Sequence, residues 1–214
     1  MNRLIFTMAM LIFAVDACAA TVGPISVVAT VQASSSLSCT IVSCTAPGGV
    51  ENCGTTAQPS MDFGNLTNAV PGDVGSALTS PKFFKVFCGI NTSGTPYSVA
   101  QTGTSLINSQ DGVTKLTDNA WVFTPIAFVD TTDPDNIANE PLPPGVTVGS
   151  KVSVNSTSAK WIDTGSATNV AVIQAVYSIT GDPTLAVSPT GDLVPPNQKA
   201  GIYTAQVTWT MTPK

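Results

Sequence analysis

No stretch of this chain carries a capped apolar repeat of 3.6 residues; its hydrophobic residues recur instead at period two, in short runs. Clusters of Gly, Pro, Asp, Asn, Ser and Thr separate the runs, at 46–60, 68–80, 130–150 and 188–201. Period two is the geometry of a strand with one buried face, and turn residues at such spacing demand reversals. Many short strands with Gly/Pro turns predict an all-β chain, folded as a β-sandwich. No internal repeat and no linker divides it, so one domain of about 190 residues is expected.

The clearest run is the last. Tyr203, Ala205, Val207, Trp209 and Met211 alternate with Thr204, Gln206, Thr208 and Thr210, so one side is apolar and the other polar. Lys82 to Ile90 sets Phe84, Val86, Cys88 and Ile90 on one face and Phe83, Lys85, Phe87 and Gly89 on the other. Leu37 to Val42 and Val170 to Ile179 read as strands from their β-branched content. Pro125 interrupts Trp121 to Val129, which predicts an edge or bent strand. Ile25, Val27, Ala29, Val31 and Ala33 share one face of an N-terminal run.

The chain opens like an export signal. Met1-Asn2-Arg3 is basic, Leu4 to Val15 is apolar, and Ala17-x-Ala19 fits a cleavage site. Twelve helical residues would span roughly 18 Å, too short for a bilayer core of about 30 Å. Residues 1–20 are expected to be removed, with Cys18 lipidation as the alternative fate, and no later stretch could cross a membrane as a helix. Export leaves Cys39, Cys44, Cys53 and Cys88, an even number bound for an oxidising compartment. Two disulfides are expected, and four cysteines allow three pairings.

Composition removes whole classes of function. The 214 residues include 8 Lys+Arg, 13 Asp+Glu and no histidine, a net charge of −5. Nucleic acid calls for clustered cations, which are missing. Without histidine there is no Ser-His or Cys-His pair and no His-ligated metal, so no enzyme activity and no cofactor are expected. The acidic stretch Asp130, Asp133, Asp135, Asn136 and Glu140 lacks the ligand spacing of a calcium loop. Asp62 before Phe63-Gly64 reads as a strand-end turn. Glu51 and Glu140, the two glutamates, lie in loop-like stretches and make a poor glycosidase pair. Of Trp121, Trp161 and Trp209, only Trp161 is a candidate for the surface, and core is the favoured reading for it too. Sequons at Asn65, Asn91 and Asn155 are expected by chance in so Thr/Ser-rich a chain.

Five pieces recur in a meaningful order: Ser38-Cys39-Thr40-Ile41, Met61-Asp62-Phe63-Gly64-Asn65-Leu66, Phe84-Lys85-Val86-Phe87-Cys88, Thr95-Pro96-Tyr97-Ser98-Val99, and Lys199 to Thr210 with its Gly201-Ile202-Tyr203. Together they resemble the spore coat protein U-like secreted pilins, archaic chaperone–usher fimbrial subunits. Ala205 stands where that family usually has aspartate. The resemblance implies an Ig-like, pilin-like β-sandwich that is incomplete and is completed by a donated strand. It implies that Cys39 pairs with Cys88, which leaves Cys44 with Cys53. It also implies a periplasmic chaperone, an outer-membrane usher and a cell-surface fimbria as the destination.

The expected organisation is a signal peptide over 1–20, an N-terminal extension over 21–38 and a sandwich over 39–214. The extension is the candidate donor strand, with Ile25, Val27, Ala29, Val31 and Ala33 as its knobs. Tyr203, Val207, Trp209 and Met211 form the expected terminal core strand. Head-to-tail donation is a heterologous contact that does not close, and therefore builds a filament. The expected function is a structural subunit of such a fibre, serving adhesion or biofilm formation. The alternative is a monomeric secreted Ig-like domain that binds a glycan or a host surface, with the N-terminal run paired in its own sheet.

Overall fold

The computed structural model describes residues 20–22, 29–31, 35–46, 51–92, 94–128, 142, 144–166 and 172–214. Among them there is no helix, and none is long and apolar enough to cross a membrane. The chain is an all-β sandwich of two antiparallel sheets.

The larger sheet runs in the order β12 (Val152–Ser153), β10 (Trp121–Phe128), β14 (Val172–Ile179), β7 (Phe83–Asn91), β3 (Ser35–Thr45) and β2 (Ala29–Val31). A further short strand, β4 (Asn52–Cys53), pairs with the far end of β3. The facing sheet runs β1 (Ala20–Val22), β16 (Val207–Pro213), β8 (Tyr97–Gly103), β13 (Ala159–Asp163) and β11 (Thr147–Val148). Two ribbons lie outside both sheets: β5 (Thr67–Asn68) with β6 (Leu78–Thr79), and β9 (Ile107–Asn108) with β15 (Tyr203–Thr204).

Period two decides which residues meet. Phe84, Val86, Cys88 and Ile90 of β7 face the core, beside Leu37, Cys39 and Ile41 of β3 and Ile173, Ala175, Tyr177 and Ile179 of β14. Across the interior stand Tyr97 and Val99 of β8 and Val207, Trp209 and Met211 of β16. A bulge between Lys160 and Ile162 lets β13 bury both Trp161 and Ile162. Aromatic rings join the sheets: Tyr177 lies 6.3 Å from Trp209, and Phe123 lies 5.8 Å from Trp161.

Trp121, Trp161 and Trp209 are all buried, so Trp161 is core rather than surface. Each buried indole N–H has an acceptor, as desolvation requires. Trp209 donates to the Tyr177 hydroxyl at 2.6 Å, Trp161 to the Gln174 carbonyl at 2.9 Å and Trp121 to the Thr104 carbonyl at 3.3 Å.

Three elements refine the sequence pattern. The first core strand begins at Ser35, so residues 35–38 of the extension already pair with β7 or β2. Pro125 is tolerated because β12 reaches only Val122 and Phe123, leaving that flank of β10 near an edge. The terminal run is two strands, not one. β15 turns aside to pair with β9, and β16 starts at Val207. At that departure the backbone comes close to β9: a Cβ on Gly201 would lie 2.3 Å from Asn108 Nδ2, an approach that glycine at φ +154° permits.

Candidate strand-accepting groove

β16 has a strand on each side, but over different lengths. β8 pairs with it along Val207–Pro213, whereas β1 covers only Trp209, Thr210 and Met211. Among the described residues, no strand pairs with the outer flank of Tyr203 to Thr208.

A groove of about 880 Å³ is bordered by Tyr203, Thr204, Ala205 and Val207 of that run. One wall is 60–66 and the other 198–205; Leu106, Leu116, Trp121, Ile179 and Val207 form an apolar floor. The first wall belongs to no strand. Phe63 anchors it, packing edge-on against Phe84 at 4.9 Å and Trp121 at 5.2 Å. The Ser80 hydroxyl donates to the Phe63 carbonyl at 2.8 Å. Asp62 is exposed, and its Oδ1 accepts the Gly64 amide at 2.9 Å in a turn with Gly64 at φ +69°. The expected turn is there, but it stands apart from every strand rather than at a strand end.

The second wall is latched by polar contacts. The Lys199 ammonium lies 2.6 Å from Asp111, and Tyr203 donates its hydroxyl to the Lys199 carbonyl at 2.6 Å. Gln198 Nε2 donates to the Tyr203 hydroxyl at 2.8 Å. Buried Asn108 donates to the Ala200 carbonyl at 3.3 Å. Lys199 first, then the Thr114 hydroxyl and the amides of Val113 and Thr114, hold the Asp111 carboxyl well below the usual carboxylate range. Both walls are therefore fixed independently of any strand between them. What the groove offers is an apolar floor beside a strand edge that no described strand covers.

The expected site residues fall as follows. Cys39 bonds Cys88 and Cys44 bonds Cys53. The first staples β3 to β7 at a registered pair, and the second joins β3 to β4. Val207, Trp209 and Met211 are buried core residues of β16; Tyr203 is half-buried on the groove wall. Ala29 and Val31 lie in β2, opposite Leu37 and Ser35 of their own β3. Ile25, Val27 and Ala33 lie outside the described residues, as do Cys18 and the acidic stretch at 130–140.

Sequence reasoning missed Met61 to Leu66 as a wall and the Asp111–Lys199 latch. Apolar Met61, Phe63 and Leu66 around a turn were the only local signal for the first, and none pointed to the second. Among the described residues one cluster has metal-ligand composition, Cys44, Glu51 and Cys53. Both sulfurs are spent in a disulfide, and the Glu51 carboxylate is paired with Lys85 at 2.7 Å, so the cluster is structural. No family model, curated protein or solved structure matches this chain.

Proposed function

We propose that this protein is the structural subunit of an extracellular fibre whose Ig-like sandwich accepts a strand from a neighbouring copy. The open apolar groove bordered by Tyr203, Thr204, Ala205 and Val207 supports this reading. The proposed occupant is residues 25–33 of a second copy, with Ile25, Val27, Ala29, Val31 and Ala33 facing the floor. Nine extended residues span about 30 Å, the length of a run of equal size such as Tyr203 to Met211, along which they would lie. The molecule's own segment is not available there, because Ala29–Val31 pair with β3 on the other sheet.

Two disulfides are compatible with a periplasmic or extracellular protein. A periplasmic chaperone that lends a strand and an outer-membrane usher that exchanges it are the partners this assembly calls for. Adhesion or biofilm formation is the role such a fibre would serve. A second reading, a monomeric Ig-like binding domain, has its own support: Ala20–Val22 and Ala29–Val31 both pair within the molecule.

Unboiled SDS gels of the mature chain test the choice. The fibre reading expects a ladder, loss of that ladder when residues 21–33 are deleted, and uptake of a synthetic 23–34 peptide by the deleted chain. Met61→Asp, which charges the groove wall without touching β16, should block the uptake. A heat-stable monomer that unfolds on deletion of 21–33 would establish the monomeric domain instead.

A further inference from the structure

We infer that β1, of which Thr21 and Val22 remain once residues 1–20 are removed, is a built-in cap on the accepting edge, and that it must leave before a donor strand can seat fully. The inference rests on the strand-accepting reading and concerns how that site is regulated.

The register carries the argument. β1 pairs antiparallel with β16, Ala20 opposite Met211, Thr21 opposite Thr210 and Val22 opposite Trp209. The core-facing positions of the terminal run are 203, 205, 207, 209 and 211, with Val207, Trp209 and Met211 fully in the core. Extending the register of β1 along this edge would set Pro24, Ser26 and Val28 opposite the inward positions. Ile25 and Val27 would then stand opposite Gln206 and Thr204, on the outward face. The cap is therefore out of phase with the five alternating apolar residues. A shift by an odd number of residues is needed to turn them inward.

One antiparallel register seats all five at once. Ile25 stands opposite Met211, Val27 opposite Trp209, Ala29 opposite Val207, Val31 opposite Ala205 and Ala33 opposite Tyr203. Trp209 thus faces Val22 in the capped molecule and Val27 in the donated arrangement, an offset of five residues. The two registers compete for the same backbone at Trp209–Thr210 and cannot coexist.

The cap covers only this end of the edge. Tyr203 to Val207 stays open above the groove, a toehold where a donor can start at its Ala33 end and run toward Met211, displacing β1 as it goes. The same monomer holds its own Ala29–Val31 on β3, so donor and acceptor are stowed together. Such a subunit is slow to polymerise until a partner strand opens it.

The test compares the rate of SDS-resistant ladder formation for three chains. A chain that starts at Gly23 keeps all five apolar residues and loses the cap. It should assemble about tenfold faster, as expected when a few ladder hydrogen bonds no longer have to be displaced. The double variant Thr21→Cys, Thr210→Cys places a cross-strand pair outside the core. Once oxidised, it should form a link within one chain and stay monomeric. Equal rates for the wild type and the chain from Gly23, or ladders from the linked variant, would overturn the cap while leaving strand acceptance standing. Absence of the link would also overturn it. If no chain forms a ladder, strand acceptance itself falls and takes the cap with it.

Discussion

Lys85 stands in the middle of a strand row, with Val42 on one side and Val176 on the other, and is nearly buried on the face opposite the core. Its ammonium is 2.7 Å from Glu51, a residue that is itself largely exposed. Removing the acid strands a buried charge, whereas removing the lysine with a chain of similar shape does not. Glu51→Gln should therefore lower stability by about 1–2 kcal/mol, discounted because the carboxylate is wet. Lys85→Met should cost under about 1 kcal/mol or stabilise. Urea midpoints at constant slope check both; a Lys85→Met cost above that of Glu51→Gln would refute the pairing account. The alternation groups Lys85 with Phe83 and Phe87 on one face, but nothing local to β7 says which face is buried or names its partner. Glu51 arrives because Cys53, two residues on, is tied back to Cys44.

At the scale of elements, the two disulfides differ in what they close. Cys39–Cys88 joins two long strands already paired at that point, across a separation of 49 residues. Cys44–Cys53 closes a separation of 9. In the chain-entropy model these contribute about 4 and about 3 kcal/mol. Replacing Cys39 and Cys88 by Ala should cost more than replacing Cys44 and Cys53, as read from denaturant midpoints of the two double variants. The reverse order would mean that the local staple stabilises chiefly by holding Glu51 over Lys85. β7 and β16 were legible because a half-buried strand writes its burial as alternation, and β3 and β14 from their β-branched content. β15 was not, because its partner β9 comes from a distant hairpin, which sets Asn108 beside Gly201.

For the whole molecule the consequence is a flat pH profile with steep ends. The chain has no histidine, so no side chain of the usual switch type titrates between about pH 5 and 9. Asp111, Asp163 and Asp182 are held below the usual carboxylate range. The leading causes are hydrogen bonds from Lys199, Lys214 and the Thr184 hydroxyl, respectively. Their contribution is present above the unfolded-state value, about 4, and is lost as pH falls through the folded values. Burial pushes the Tyr97 and Tyr177 hydroxyls up. The folded state then holds those protons more tightly, and stability falls as pH rises beyond the unfolded-state value of about 10. Urea midpoints should be level from about pH 5 to 9 and drop on both sides. Tyrosinate absorbance of these two residues should appear only with unfolding, and a midpoint that slopes across the neutral range would contradict this assignment.

Class and core came from the sequence by itself. Period-two runs between turn clusters read as strands, and the apolar face of the last run named Val207, Trp209 and Met211 before any contact was known. The cysteine count called for two bonds, while their partners rested on a resemblance until β3 and β7 set Cys39 beside Cys88. Only the tertiary structure decided that 60–66 stays outside every sheet and faces 198–205 across an apolar floor. It alone put Ala20–Val22 on β16 and Ala29–Val31 on β3. Alternation reports which side of a strand is buried, because that depends on the residue itself. Which edge a strand joins, and in which register, depends on backbone groups that are alike at every position, so it is settled only when the sheets have packed.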